Sequence, residues 1–329
     1  MSDAGAAEDR RHEVADPGRG ARSEQLGTVS GDRPRVAVIG TGRMGAAMAQ
    51  RLVERGFPVT VYNRSADRAR EVAARIGASM AETPSAAAEW AGAGDDAGGM
   101  VLVSLADDDA CRAVYLGPDG LVSGLAPDTV VADTSTIDPG TARELAAAVS
   151  EVGGSALDTP VSGSVPAALS GGLTVMVGGD ADALAIARPV LEAIGRKVVP
   201  VGDSGSGAVT KLAVNAVVHA LNQALSEAIV LAEKAGVDRS TFYDVIADSA
   251  AAAPFVGYKR EAFEHPETAP VAFSLDLVAK DLRLILALAE RAGAPMPEAR
   301  AVASAADDAI AAGFGHADMS AVARFLRAS

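Results

Sequence analysis

The chain has 329 residues, which is enough for two domains with separate hydrophobic cores. Its formal net charge of −14 at pH 7 would repel phosphate-rich polymers, and this argues against nonspecific binding to nucleic acid. The only cysteine, Cys111, excludes an intrachain disulfide, and the four histidines lack the spacing of metal ligands.

The N-terminal segment contains glycine, alanine, arginine and acidic residues without an apolar run. A secretory signal requires such a run, and a mitochondrial presequence is poor in acidic residues, so neither is predicted. We predict a disordered tail over residues 1–33 and a cytoplasmic protein. No membrane span is predicted, because polar residues interrupt the apolar helix that follows Lys211.

A strand, a glycine-rich turn and a helix follow the tail. Residues 35–39 predict a buried parallel strand, which runs into the GxGxxG sequence at 40–45. A helix is predicted up to Gly56, and a second strand at 58–62. A dinucleotide-binding fingerprint requires this context. The candidate cofactor-binding residues of the turn are Gly40, Thr41, Gly42, Arg43, Met44 and Gly45.

The three glycines of this turn have separate predicted roles. Gly40 permits the tight turn, Gly42 lets the backbone approach a pyrophosphate, and Gly45 lets helix and strand pack closely. The amides at the start of the helix would then hold the phosphates. The alternative is a glycine-rich turn that binds nothing.

The end of the second strand bears on the choice of cofactor. An NAD site usually has an acidic residue there, which accepts a hydrogen bond from the ribose 2′-hydroxyl. This chain has Asn63, Arg64 and Ser65 instead. Arginine pairs with a 2′-phosphate, so we favour NADP(H) over NAD(H). The alternative is that Arg64 is a solvated surface residue.

Two further strands are predicted at 100–104 and 129–132, each followed by a helical segment. The loops that leave them, at 104–106 and 133–136, would share the carboxyl edge of the sheet. Ligands bind at that edge in open α/β sheets. The sequence therefore predicts that both loops border the cofactor.

The next strands are predicted at 156–158, 173–177 and 197–200, and the first of them breaks into a loop of small residues. Backbone amides around Ser162, Gly163 and Ser164 would form a concavity for a carboxylate, with the Ser162 hydroxyl as a further donor. An ordinary serine–glycine turn is the alternative for this segment.

A long apolar helix is predicted over 206–235, with Lys211 and Asn215 one turn apart on one face. Burying this polar pair is costly unless a ligand binds there, so Lys211 is the candidate proton donor and acceptor. The ion pair of Lys280 and Asp281 is predicted at the surface, and His219 is interpreted as a packing residue. Further helices are predicted at 239–250, 275–292 and 297–312.

These elements predict an α/β Rossmann-type dinucleotide-binding domain followed by an all-α domain, joined by a long interdomain helix. The predicted limits are 34–202 for the nucleotide-binding domain and 203–329 for the helical domain.

Several separated segments together resemble the β-hydroxyacid dehydrogenase family, which includes 3-hydroxyisobutyrate dehydrogenase and tartronate semialdehyde reductase. Their order and spacing cover about residues 34–300. The resemblance implies a helical second domain for substrate binding and dimerisation, and a homo-oligomer, a dimer or tetramer, built through it. The segments are 40–45, 135–137, 158–163 with 173–179, 207–215 and 273–282.

The resemblance also implies roles for individual residues. Lys211 matches the catalytic lysine of the family and Asn215 its partner, while the loop at 162–163 matches the one that holds the substrate carboxylate. The residues that match cofactor contacts are Leu105, Ala106, Thr136 and Lys280.

The chain departs from the family pattern near the substrate. Ala106 stands where proline is usual, Ser164 and Ala167 replace glycines, and Gly172 stands where threonine is common. These departures leave the substrate open.

The predicted reaction is hydride transfer between NADP(H) and a small β-hydroxy acid or semialdehyde acid, with Lys211 as the general acid and base. A lysine does this near neutral pH only if burial lowers its pKa, and a nearby helix N-terminus acts in the same direction.

Three alternatives remain open at this point. Imine reductases share the architecture, but an ammonium about 4 Å from an iminium costs on the order of 4 kcal/mol, and Lys211 is retained. A 6-phosphogluconate dehydrogenase shares the Lys/Asn spacing, but no basic cluster for a sugar phosphate is found. A non-catalytic nucleotide-binding scaffold would be expected to lose Lys211 or Ser162.

Overall fold

The structure is a computed structural model that describes residues 33–93 and 99–328. The predicted tail at 1–33 lies outside these residues, apart from Arg33. Within them, nine strands form one sheet. The strands are β1 Val36–Ile39, β2 Val59–Tyr62, β3 Ser79–Met80, β4 Met100–Val103, β5 Val130–Asp133, β6 Ser155–Asp158, β7 Val161–Ser162, β8 Leu173–Gly178 and β9 Gly195–Gly202.

The strand order is β3-β2-β1-β4-β5-β6-β8-β7, with β9 paired to β8. The six strands from β3 to β6 are parallel and follow the order of a Rossmann-type sheet, whose direction of winding reverses between β1 and β4. β8 is antiparallel to β6 and β7. The carboxyl ends of β1, β4, β5 and β6 are in register, so the loops that leave them meet at one edge.

Seven helices cover the two faces of this sheet within the described residues. Alternate residues of the buried strands point to opposite faces, so Val36 and Val38 belong to one core, while Ala37 and Ile39 belong to the other. The helices are α1 Arg43–Glu54, α2 Ala66–Ile76, α3 Pro84–Gly92, α4 Asp108–Leu116, α5 Pro139–Glu151, α6 Val165–Ser170 and α7 Ala181–Ile194.

From Ser206 onward the described chain is helical around a third core. The fold class predicted from the sequence, a Rossmann-type domain followed by an all-α domain after a long helix, is confirmed. The exact domain limits stay a prediction. The helices are α8 Ser206–Lys234, α9 Arg239–Ala247, α10 Pro254–Glu264, α11 Leu275–Ala292, α12 Pro297–Ala309 and α13 Val322–Ala328.

α8 is the one described helix that is long and apolar enough to cross a membrane, with a mean hydropathy of 1.2 in its most apolar window. The core helix of a globular protein meets the same two criteria. In this structure, Asn215 and Asn222 are buried in α8 and donate hydrogen bonds to α11 and to Met319.

Candidate active site

The glycine-rich turn between β1 and α1 is closed on one side and open on the other. Gly40 has a φ of +96°, and a Cβ there would lie 2.2 Å from the carbonyl oxygen of Ser104. A Cβ at Gly45 would lie 1.9 Å from the carbonyl oxygen of Gly40. No described residue places an atom within 4 Å of the corresponding position at Gly42, which precedes α1 without a capping side chain. The open side at the helix N-terminus therefore fits a dinucleotide pyrophosphate.

Thr41 of this turn is held by the residue that follows β2. The Thr41 amide donates a hydrogen bond to Asn63 Oδ1 at 3.2 Å, and Asn63 Nδ2 donates to the Ser65 carbonyl oxygen at 3.3 Å. Asn63 thus links the glycine-rich turn to the loop before α2. Arg43 is exposed, and Met44 packs against the adjoining core.

The loop after β2 leaves two polar groups without partners among the described residues. Arg64 is exposed and makes no hydrogen bond or ion pair there. Ser65 precedes α2, but its hydroxyl does not cap the helix. Both groups are free to bind an anion at the start of α2, where the helix dipole adds to the attraction.

The loops after β4 and β5 are joined to each other and to α11. The Leu105 amide donates to Ser135 Oγ at 2.9 Å. Lys280 Nζ, from α11, donates to the carbonyl oxygens of Ala106 and Thr136 at 3.2 and 2.7 Å. The structure therefore brings together the four residues that the resemblance assigned to cofactor contacts.

Lys211 lies in the second turn of α8 and is largely buried. Its ammonium donates a hydrogen bond to the Val161 carbonyl oxygen at 2.8 Å. Burial lowers the pKa of Lys211 from 10.5 to about 8; Asp281 opposes this change, and Lys280 adds to it. The amine is therefore suited to exchange a proton near neutral pH.

The partner of Lys211 is bound to a carboxylate that sequence reasoning placed at the surface. Asn215 Nδ2 donates to Asp281 Oδ2 at 2.6 Å, and Lys280 Nζ lies 2.9 Å from Asp281 Oδ1. Asp281 has no exposed surface. Burial alone would raise the pKa of Asp281, but His219 and Lys280 hold it below its ordinary value.

The prediction of a surface ion pair for Lys280 and Asp281 is therefore wrong. The order of residues along one helix does not reveal whether a second helix packs over them. In the structure, the face of α11 that carries Asp281 packs against α8. The interpretation of His219 as a packing residue is incomplete, because its Nε2 lies 3.5 Å from Asp281 Oδ2. A sequence signal for Asp281 existed: it lies on the apolar face of α11, three residues after Val278 and four before Ile285.

The loop predicted to hold a carboxylate begins directly after the carbonyl group that binds Lys211. Ser162 ends β7, and Gly163 has a φ of +140°, with a Cβ there 2.8 Å from Leu173 Cδ2. Only glycine fits this position without strain. Ser164 precedes α6, and its hydroxyl does not cap that helix. The hydrogen bond from Lys211 to Val161 therefore places the candidate catalytic amine beside the start of this loop.

No metal site was predicted. Among the residues that the structure describes, no group of three or more His, Cys, Asp or Glu side chains is placed to hold a metal ion.

Comparison with known protein families gives two matches. Residues 35–202 match the NAD-binding domain of 6-phosphogluconate dehydrogenase, and residues 205–326 match the NAD-binding domain of NADP-dependent 3-hydroxyisobutyrate dehydrogenase. Together the matches span almost all of the described chain.

Individual proteins agree with these matches. The chain is 31% identical to glyoxylate/succinic semialdehyde reductase 1 of Arabidopsis thaliana, over 89% of this chain and 99% of that protein. It is 33% identical to an NAD-dependent L-serine dehydrogenase of Pseudomonas aeruginosa, over 80% and 87%. The crystal structure of 3-hydroxyisobutyrate dehydrogenase from Salmonella typhimurium superposes with a TM-score of 0.80, at 27% identity, over 89% of this chain and 100% of that one.

Proposed function

Since this chain belongs to the 3-hydroxyisobutyrate dehydrogenase, or β-hydroxyacid dehydrogenase, family, we propose that it interconverts a small β-hydroxy acid and the matching semialdehyde acid, with NADP(H) preferred. Membership makes the chain an NAD(P)-dependent oxidoreductase that acts on CH–OH groups. The identity of the substrate and the preference for NADP(H) are our proposals.

The observation that carries the proposal is the position and basicity of the Lys211 amine. It binds the Val161 carbonyl oxygen, and the next residues, Ser162 and Gly163, form the loop for a substrate carboxylate. Its pKa of about 8 leaves both protonation states populated near neutral pH. A substrate carboxylate held by that loop would therefore bind beside a proton donor.

NADP(H), when bound, supplies or accepts the hydride at the substrate carbon. In reduction, protonated Lys211 gives its proton to the oxygen that becomes the hydroxyl group. In oxidation, neutral Lys211 takes the proton from that hydroxyl group. The hydrogen bond from Asn215 Nδ2 to Asp281 restrains the amide group of Asn215, which would orient the substrate hydroxyl or Lys211.

The preference for NADP(H) is supported by the loop after β2. That loop has no acidic residue for a ribose 2′-hydroxyl. Among the described residues Arg64 is unpaired, and the hydroxyl of Ser65 at the start of α2 makes no capping hydrogen bond. An arginine and a helix N-terminus together favour a phosphate over a hydroxyl group.

The site argues against imine reduction, because a protonated Lys211 would face a cationic substrate in a largely buried position. We therefore favour oxygen chemistry over nitrogen chemistry. A homo-oligomer built through the helical domain and a cytoplasmic location are also proposed. Val217 and Leu231, which are exposed on α8, support an interface between copies.

The test is a panel of tartronate, methylmalonate and succinate semialdehydes, glyoxylate and cyclic imines, each assayed with NADPH and with NADH. We expect NADPH to be consumed with at least one semialdehyde acid or glyoxylate and not with the imines. Lys211→Ala should keep NADPH binding and lose most of the turnover. NADPH binding without consumption of any substrate would favour the scaffold, and an undiminished rate in Lys211→Ala would reject the assignment of that residue.

A further inference from the structure

The N-terminus of α8 is capped by a carboxylate from a distant strand. Asp158, at the end of β6, accepts hydrogen bonds from the Gly205 amide at 2.7 Å and from the Ala208 amide at 2.8 Å. The first amides of a helix have no partners within the helix, and a negative charge there is stabilising. The residue that precedes α8, Gly205, has no side chain to cap it. The Asp158 carboxylate caps the helix instead.

The contact between Asp158 and α8 leaves no room for adjustment. A Cβ at Gly207, in the first turn of α8, would lie 2.5 Å from the Asp158 carbonyl oxygen. A Cβ at Gly178, on β8, would lie 2.5 Å from Asp158 Oδ1. Both glycines therefore let the helix start directly on the strand ends. The position of α8 along its own axis is fixed by this contact.

The segment that begins with Asp158 holds α8 at a second point. Three residues later, the Val161 carbonyl oxygen accepts the hydrogen bond from Lys211, and Ser162 then begins the substrate loop. A short segment thus binds the first turn of the helix through Asp158 and the second turn through Lys211.

We propose that Asp158 is a positioning residue that fixes the Lys211 amine relative to the substrate loop at 162–163. It does not touch the reacting atoms. This inference rests on the proposed function, since that function assigns the proton transfer to Lys211.

The neighbouring strand provides a matched control. Asp133 is the register partner of Asp158 on β5 and is equally buried. Asp133 Oδ1 accepts a hydrogen bond from the Ser135 amide at 2.8 Å, and Oδ2 accepts one from the Tyr115 hydroxyl at 3.0 Å. Since Ser135 in turn binds the Leu105 amide, Asp133 orders the loops assigned to the cofactor and makes no such contact with α8.

The experiment compares Asp158→Asn with Asp133→Asn in the full chain. The new amide at 158 can accept only one of the two backbone N–H groups and turns its own NH₂ toward the other. We expect kcat for NADPH-dependent reduction to fall about tenfold or more, with the Kd of NADPH unchanged. Asp133→Asn should instead weaken NADPH binding.

A second readout does not require turnover. The rate of acetylation of Lys211, followed by peptide mass spectrometry as a function of pH, reports the pKa of its amine. In Asp158→Asn this pKa should rise from about 8 toward 10.5, because a displaced amine regains solvent. In Asp133→Asn it should stay at its original value.

The outcomes separate the two proposals. An Asp158→Asn variant with the kcat and the Lys211 pKa of the unaltered protein would overturn the role of Asp158. If the unaltered protein reduces no carbonyl substrate, the proposed function fails, while the acetylation profile still tests Asp158. Should Asp158→Asn not fold, the smaller Asp158→Ser, which cannot crowd Gly178 or Gly207, is measured in the same way.

Discussion

At the scale of single residues, the site is built around one amine in an unfavourable environment. Lys211 is largely buried and its pKa lies near 8, although Asp281 favours its charged form. The fold therefore maintains a destabilised ammonium, and proton transfer relieves the cost. Groups tuned in this way are concentrated at functional sites.

The first prediction is the pH dependence of catalysis in both directions. Reduction needs protonated Lys211, so its kcat/KM should fall as the pH rises through about 8. Oxidation needs the neutral amine and should accelerate through the same range. Initial rates between pH 6 and 10 measure both limbs. Rates that stay constant up to about pH 9, as expected for a lysine with the ordinary pKa of 10.5, would contradict the structure.

The second prediction concerns stability. The folded pKa of Lys211, about 8, lies below its unfolded value of 10.5, so the unfolded chain binds the proton more tightly. The resulting cost is complete below pH 8, declines as the pH rises to 10.5, and is on the order of 3 kcal/mol. Lys211→Met should therefore raise Tm at pH 7, and the gain should shrink at pH 10.

Calorimetry at the two pH values checks this, with Lys234→Met as the control. Lys234 is exposed at the other end of α8, so its replacement should leave Tm nearly unchanged at both. A lower Tm for Lys211→Met at pH 7 would mean that the amine is not destabilising where it lies.

The third prediction tests the choice of dinucleotide. Arg64→Ala should raise the KM for NADPH about tenfold or more, because a charge-assisted contact to the 2′-phosphate is lost, and it should leave the KM for NADH unchanged. Arg75→Ala, at the opposite end of α2, is the control and should change neither constant. Equal effects of Arg64→Ala on both dinucleotides would assign Arg64 to a different role.

At the scale of elements, the helix that carries Lys280 and Asp281 depends on a second buried ion pair. Both carboxylate oxygens of Asp318 accept hydrogen bonds from Lys259 Nζ, on α10, at 2.8 Å. Asp318 also accepts hydrogen bonds from the backbone amides of Ala272 and Phe273, just before α11 begins. Asp318 therefore fixes the direction in which α11 leaves its preceding loop.

The fourth prediction follows from the burial of this pair. Lys259→Ala leaves the Asp318 carboxylate buried without its cation, and the free energy of unfolding should fall by about 3–5 kcal/mol. Urea denaturation measures the change. The control is Arg188→Ala, which removes an exposed ion pair with Glu192 and should cost less than about 1 kcal/mol. Similar losses in both variants would show that Lys259 and Asp318 contribute no more than a surface pair.

The elements also show where sequence reasoning works. β1 and β4 are four-residue runs of buried apolar residues, and α8 is a long apolar helix, so local pattern was sufficient for each. β3 and β7 contain two residues each and carry no periodicity. They form because a neighbouring strand provides hydrogen-bonding partners along its edge, and this depends on the tertiary structure.

At the scale of the whole molecule, the site is composite. The sheet supplies the glycine-rich turn and the loops after β4 and β5, while α8 and α11 supply the titratable groups. Lys280 connects these parts through the carbonyl oxygens of Ala106 and Thr136. A second link joins Arg291, at the end of α11, to Asp138 at 2.5 Å near the surface.

The fifth prediction compares these two links. Lys280→Met removes a largely buried cation that holds both loops and balances Asp281, so the Kd of NADPH should rise about tenfold or more. Arg291→Ala removes an exposed contact and should change the Kd less than about twofold. NADPH fluorescence titration measures both values. Equal effects would mean that docking of α11 in general, rather than the Lys280 contacts, holds the loops.

The sequence by itself determined the Rossmann-type fold class, the glycine-rich turn and the placement of Lys211 and Asn215 one turn apart on α8, because each follows from residue patterns within short segments of the chain. Tertiary structure decided the electrostatic environment of that lysine. The burial of Asp281, the approach of His219 and the capping of α8 by Asp158 all join residues 47 or more positions apart. The pKa of a buried group depends on which charges the fold brings near it, and local periodicity does not contain that information.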